Sequence, residues 1–436
     1  MTAMRERMSP LDAGQHRDVS LEVVSTCARL LFANGQTTEI LTVSVQRLAA
    51  SLGLRASVFP SWGELTLRVE GDAGPHDEII ATEPAGMDMT KVYTTMRVAD
   101  EVCDGRMDAV AARLALEGIS RLPPVSLPRF ALLAAIGAAA LGVIFGTTHL
   151  LILAVIAISA GAGACLRRWL AGLSHNLFIQ PFCAALLAGI VGAIAVRLQI
   201  SSTLRLAAVC PCMVLVPGPH VLNGVIDLAR GRLPLGIARL SYASLTTLMI
   251  CAGLVIGLGL GGTSLPASAP FHAVPFGYDV LAAGMAVAAY GTFFNMPWRM
   301  LPVPVLVGML AHASRWLVIT FAAASAVTGA FVACLVVGII MTPVADRMRL
   351  PFAGVAFASV VSLMPGVFLF RMASGMVDLV TLGASAPQEL SVQVAADGMT
   401  ALLIIVAMAF GLIFPKMCIE SFMTSSPESP PGPAWK

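Results

Sequence analysis

Charge is what this sequence has least of. Asp, Glu, Lys and Arg make up 12% of its 436 residues, against about 25% in an ordinary soluble domain. Hydrophobic residues make up 57%, and mean hydropathy is +0.84. Too few charges remain to cover a water-facing surface, which excludes a wholly soluble protein. The net charge of +2 provides no basic face for phosphate backbones, so nucleic acid is excluded as a partner. The nine cysteines show no paired spacing, and most lie in apolar runs, so no disulfide framework is expected. Cys210-Pro211-Cys212 is the one close pair, and it offers too few ligands for zinc. There is no GxxxxGK[ST] phosphate loop and no HExxH, so neither ATP hydrolysis nor a metal or other cofactor is called for. Residues 1–29 lack an apolar core of signal-peptide length, so the N-terminal part is expected to stay cytoplasmic.

What charge there is lies mostly before Arg129. Residues 1–18 read as a loose polar leader, and 19–124 as a small α+β unit. Helical periodicity runs from Leu21 to Leu52, broken at Asn34-Gly35. Ala56–Phe59 and Glu64–Val69 read as strands around a Pro60–Gly63 turn, and Glu78–Thr82 as a third. Helices are expected over Lys91–Asp104 and Met107–Ile119, and Pro123-Pro124 closes the unit. Asp72, His76, Asp77 and Glu78 read as a solvated loop.

A helix needs about 20 apolar residues to cross a bilayer. Ten runs qualify: 129–147, 149–166, 176–197, 204–226, 237–260, 277–296, 301–321, 323–343, 350–372 and 396–416. The fold class is therefore mainly α, a polytopic membrane protein of about ten spans behind an α+β unit. With that unit inside, Arg129, Arg167, Arg168, Arg230, Arg232, Arg299, Arg347, Arg349 and Lys416 fall on the inner side. Arg197, Arg205 and Arg371 are the exceptions. Gly257, Gly259 and Gly262 spell GxGxxG, but inside an apolar run with no strand before it. Gly142, Gly146, Gly253 and Gly257 read instead as small-residue helix-packing faces. The tail 425–436 is Pro- and Ser-rich and is expected to be disordered.

Two stretches of the membrane region resemble each other. Val214-Leu215-Val216-Pro217-Gly218 is followed by Asp227, and Ser362-Leu363-Met364-Pro365-Gly366 by Asp378. Each lies in the fourth of five spans, in blocks 129–260 and 277–416. Five is odd, so the second block enters the membrane inverted relative to the first. Proline removes a helical hydrogen bond and glycine permits unusual dihedrals. A broken helix in hydrocarbon survives only where protein or a polar cavity covers it. Paired breaks therefore mark either a midplane binding site or two ordinary proline kinks.

Several polar residues lie near these breaks. Asp227 fits a proton carrier, a substrate contact or a partner of Arg230 or Arg239; Asp378 is its repeat counterpart. Asn223 offers hydrogen bonds without a proton change, and His220 could titrate near neutrality. Arg371 fits a carboxylate clamp or a side chain reaching to the headgroups. His312 and Arg315 read either as buried partners or, by preference, as marks of an amphipathic surface helix.

The stretches Leu30–Gly35, Leu48–Leu54 and Val58-Phe59-Pro60 resemble the bacterial threonine/serine exporter family. So do Leu215–Gly218 with Asn223, Asp227, Gly231 and Gly236–Arg239, then Phe294-Asn295-Met296-Pro297 and Leu363–Gly366. The second half departs from the commoner Leu-Val-Pro-Gly by having Leu-Met-Pro-Gly. The likeness covers about residues 20–416. It implies a fused exporter of the inner membrane rather than an enzyme, moving threonine or serine with protons as coupling ion. Pro217, Gly218, His220, Asn223, Asp227, Pro365, Gly366, Arg371 and Asp378 would form its substrate and coupling site. Related split systems are associated with succinate, so a dicarboxylate exporter is one alternative. A membrane-anchored enzyme or sensor acting through its N-terminal unit is another. Lipid is the expected surrounding partner, and homo-oligomerisation is left open.

Overall fold

A computed structural model describes residues 10–70, 75–147, 149–174, 176–198, 205–265 and 274–424. In the N-terminal unit, α1 (Pro10–Ala33) and α2 (Thr38–Ser51) are parted at Gly35, whose φ of +90° suits glycine. β1 (Arg55–Ser61) and β2 (Glu64–Glu70) form a hairpin closed by Trp62-Gly63, and β2 pairs antiparallel with β3 (His76–Ala81). Pro60 is tolerated because β1 is an edge strand. Leu65, Leu67 and Val69 alternate inward and meet Leu31, Leu41, Val45 and Leu116 in one core. α3 (Met89–Cys103) and α4 (Ala109–Ser120) are capped by the carboxylates of Asp88 and Asp108. Helix α1 begins at Pro10, so the second part of the stretch read as a loose leader is helical. Asp72 and the tail 425–436 lie outside the described residues.

The membrane region runs as two sets of segments. The first is α5 (Leu127–Ile144), α6 (Leu150–Leu173), α7 (Ile179–Arg197), α8 (Leu206–Met213), α9 (Gly218–Ala229) and α10 (Leu233–Leu260). The second is α11 (Phe276–Phe293), α12 (Pro302–Phe321), α13 (Ala326–Met348), α14 (Phe352–Val360), α15 (Gly366–Leu382) and α16 (Gln388–Thr424). Among the described residues, eight helices can cross a membrane by length and composition, and the pair α8–α9, bent by 50°, makes nine. The span expected at 277–296 is α11, which is outside those nine; it carries Tyr278, Asp279 and Tyr290 and packs on α5 and α12. The span expected at 350–372 divides before Pro365 and continues to Leu382. The cause is the apolar run Met376, Val377, Val380 and Leu382, which is exposed as a lipid-facing stripe would be.

The two sets pack alike. α5 lies on α6, α6 on α7 and α7 on α10, while α8 touches α5, α6 and α7. α11, α12, α13, α14 and α16 repeat this pattern, and across the halves α5 meets α11, α9 meets α14 and α8 meets α15. Glycine sets the third-to-fifth helix contact in both. A Cβ on Gly257 would fall 2.4 Å from the Leu186 carbonyl oxygen, and one on Gly338 would fall 2.7 Å from that of Gly411. Among the described residues the first half offers five crossing segments and the second four, with α11 in the position of the fifth.

Candidate functional site

Both Pro-Gly pairs interrupt their helices. After α8 the chain leaves the helical ladder at Val214 and re-enters at Gly218. The Met213 carbonyl freed by this break accepts a hydrogen bond from the Tyr290 hydroxyl at 2.9 Å. After α14 a single 3-10 turn, Val361–Leu363, precedes Pro365. The breaks face each other across the halves. A Cβ on Gly218 would lie 1.7 Å from the Phe357 ring of α14, and one on Gly366 would lie 2.8 Å from Met213 Cγ of α8. Only glycine lets the first of these contacts form. The void lined by Pro211, Val214, Leu215, Ser159 and Arg167 beside the first break is about 10 Å³, room for one water. That side of the break is closed.

The expected site residues divide. His220, Asn223 and Asp227 all lie on α9 and are buried. His220 meets the Tyr242 ring edge-on at 4.9 Å, and Trp62 at the hairpin tip meets Tyr242 at 5.1 Å. Asn223 Nδ2 donates to the Gly35 carbonyl at 3.2 Å. These two residues therefore touch the N-terminal unit or its immediate support, and they do not converge on the second break. Asp227 pairs with Arg239 Nε of α10 at 3.3 Å, both 1% exposed, and with Arg232 at 3.7 Å. Arg230, the other partner offered by the sequence, is held by Glu39 at 2.6 Å and by Glu420.

The counterpart of this pair is not at Asp378. That residue is half-buried among exposed apolar neighbours and makes no ion pair among the described residues. Arg371 instead pairs with Asp397 of α16 at 3.1 Å. In each half the arm after the break is thus tied to the next helix by an acid and an arginine, with the two roles exchanged. The pairs lie at opposite ends of the bundle. Asp227 adjoins the N-terminal unit, whereas Asp397 precedes Lys416, at the docked end of α16, by about 28 Å of helix.

The N-terminal unit docks on one end only. Met89 N–H donates to the Phe294 carbonyl at 2.9 Å, Thr90 N–H to that of Asn295 at 3.1 Å, and Asn295 Nδ2 to Asp88 at 3.0 Å. Asn295 holds φ +55°, a left-handed conformation that asparagine tolerates. Arg349 Nε reaches Asp100 at 3.0 Å, and Lys416 sits over the Phe352 ring at 4.7 Å. A cavity of about 300 Å³ remains at this interface, lined by Glu39, Arg47, Asp346, Arg349 and Glu420 among others. Burial pushes the Glu39 carboxyl up, with Arg230 pulling it back.

One polar group escaped the sequence reading. His312 is not on an amphipathic surface; it is fully buried. Its Nδ1 lies 3.1 Å from Asp279 Oδ2 of α11 and its Nε2 lies 2.5 Å from Ser362 Oγ, just before the second break. A histidine in mid-span and an aspartate in the first turn of another were the available signals. Their proximity was not readable, because they come from separate helices.

The membrane architecture with paired breaks agrees with comparison to known proteins. Residues 22–261 match the model of a putative threonine/serine exporter family, and residues 279–418 match a second threonine/serine exporter model. Among curated proteins, a probable succinate transporter subunit, YjjP, of Escherichia coli K12 is 32% identical over 117 residues, covering 25% of this chain and 43% of that protein. Its namesake in Klebsiella aerogenes is 34% identical over 88 residues, 20% of this chain and 33% of that protein. The chain therefore spans less than half the length of these curated relatives. No solved structure matches. With family models covering both halves and the break motifs packed across them, this chain belongs to the threonine/serine exporter family.

Proposed function

We propose that this protein is a secondary exporter of threonine or serine across the cytoplasmic membrane, driven by the proton gradient, with its N-terminal unit on the cytoplasmic side. The observation that carries the reading is the mutual packing of two Pro-Gly breaks, one from each half. Such breaks offer free N–H and C=O groups to a zwitterion at the midplane. The acid–arginine pairs at opposite ends suit alternating access: Asp227–Arg239 would open toward the cytoplasm and Arg371–Asp397 toward the outside. The basic residues at the docked end support the orientation. In this reading Asp227 and Arg371 act as gates, and Pro217, Gly218, Pro365 and Gly366 hold the substrate. His220 and Asn223 transmit the position of the N-terminal unit, and Asp378 has no assigned task.

Similarity to the succinate transporter subunit favours a dicarboxylate as the second reading. The interface cavity weighs against it. Glu39, Asp346 and Glu420 would repel a dianion, whereas a zwitterion can satisfy them together with Arg47 and Arg349. Proteoliposomes loaded with labelled threonine, serine or succinate, with an imposed pH gradient, decide between the two. Efflux of threonine or serine that rises with the gradient is expected. Efflux of succinate alone removes the amino-acid assignment.

A further inference from the structure

We propose that Asp279, His312 and Ser362 form the proton-carrying site of this transporter and couple protonation to the second helix break. The inference rests on the proton-driven reading above and assigns it to particular atoms. Asp279, His312 and Ser362 come from α11, α12 and the 3-10 turn after α14, and all three are buried. Asp279 Oδ2 lies 3.1 Å from His312 Nδ1, and His312 Nε2 lies 2.5 Å from Ser362 Oγ. A carboxylate and an imidazole buried between membrane helices are costly and usually functional, and Asp279 lies at the other end of the bundle from the N-terminal unit that Asp227 adjoins.

The chain of atoms has a direction. Asp279 is in the first turn of α11, while the other end of α11 leads to Phe294 and Asn295 at the docked face. Asp279 is therefore at the far end of the bundle, the outer side in the proposed orientation. Ser362 is three residues before Pro365. The three groups thus join the outer end of the bundle to the edge of the break, and Nε2, the ring nitrogen that can take up a proton, faces the break.

The proton balance is simple. With His312 neutral, Nδ1–H donates to the Asp279 carboxylate and Nε2 accepts the Ser362 hydroxyl proton. When a proton arrives on Nε2, imidazolium forms and its charge is balanced by Asp279. Both ring nitrogens now donate, so Ser362 Oγ becomes the acceptor and its O–H must find a new partner. Protonation therefore reverses one hydrogen bond at the edge of the helix break, with no covalent bond made or broken. Arg315, one turn along α12, is a further charged group near Asp279. Ser362 of the 3-10 turn meets His312, and Ser359 of α14 donates to the Pro304 and Val355 carbonyls. Among the described residues the first half has no such relay: beside its break stand Ser159, Arg167 and the Tyr290 hydroxyl.

The same connectivity, Asp–His–Ser, serves nucleophilic hydrolysis elsewhere. Here Ser362 is 4% exposed between helices, so a substrate carbonyl has no approach to it in this conformation.

The test uses the full chain in proteoliposomes with labelled threonine. Counterflow, the exchange of labelled for unlabelled substrate without a gradient, reports a folded and cycling carrier. Efflux driven by an imposed pH gradient reports coupling. His312→Gln and Asp279→Asn are expected to keep counterflow and lose the response to the gradient. Asp279→Glu should restore part of it. Ser362→Ala, which changes little volume, should keep counterflow but shift its pH dependence. Gradient-driven efflux at wild-type levels in both His312→Gln and Asp279→Asn overturns the proposal. If both substitutions abolish counterflow, an unshifted pH profile in Ser362→Ala overturns it. Wild-type efflux that ignores the pH gradient removes proton coupling itself, whatever these residues do.

Discussion

The two halves of the membrane region share one backbone plan and differ in what surrounds their breaks. In the first half the Met213 carbonyl at the break accepts from the neutral Tyr290 hydroxyl, no acid–histidine pair stands beside it among the described residues, and the following arm α9 is covered by the N-terminal unit. In the second half the break adjoins Asp279, His312 and Ser362, and its following arm α15 has no contact with that unit in the interactions described. The shared packing sets a helix break in the same place twice. In the proposed mechanism the side chains divide the labour, with docking and gating on one half and proton uptake on the other. The difference shows that symmetric architecture does not require symmetric chemistry.

The largest effect should come from breaking the inner pair. Arg239→Ala leaves Asp227 buried without its main partner and should cost about 3–5 kcal/mol. Arg371→Ala should cost less, because Arg371 and Asp397 are 11% and 8% exposed against 1% for each member of the inner pair. Thermal unfolding in detergent checks the order, and equal losses would dissolve the contrast between the two ends. Replacing Asp227 and Arg239 together by neutral residues should recover most of the loss.

Next are the glycines. Gly218→Ala drives a methyl into the Phe357 ring and should cost about 1–3 kcal/mol, because a ring inside packed helices cannot step aside. Gly366→Ala meets Met213, whose flexible side chain can move, so its loss should be smaller. The same unfolding measurement ranks the two, and a reversed order would contradict the packing described.

Tyr290→Phe removes the donor to the Met213 carbonyl and should cost about 1–2 kcal/mol, with transport impaired through the first break only. A change in the response to the pH gradient in this variant would place titration on both halves. The smallest effect concerns the docked end. Glu39 has a raised carboxyl pKa when folded, so its contribution to stability is present below the ordinary carboxylate range and is lost as pH rises through the raised value. Melting temperature followed against pH should slope less in that interval for Glu39→Gln than for the parent.

Much of the plan was legible in the chain. Long apolar runs, the Pro-Gly pairs and the basic residues toward one side are local or compositional signals, and bilayer thickness turns them into spans. The short strands and their turn were legible too, because Gly63 and alternating Leu65, Leu67 and Val69 act on nearest neighbours. The span boundary at 350–372 was misread because hydropathy alone does not say where an apolar run passes from core to lipid.

Partners were only partly legible. The sequence offers Arg230 or Arg239 to Asp227, and packing selects Arg239; that Arg371 meets Asp397, and that His312 meets Asp279 and Ser362 at sequence separations of 33 and 50, is not written locally. Repeat logic pointed from Asp227 to Asp378, yet Arg371 and Asp397 made the pair. A charge in a low-dielectric interior is governed by whichever opposite charge packing brings within about 4 Å, and a sequence pattern carries no such distance. Composition and period were enough to put this chain in a membrane with two broken helices. Which groups hold those breaks, and which polar side chains meet beside them, followed only from how the helices pack.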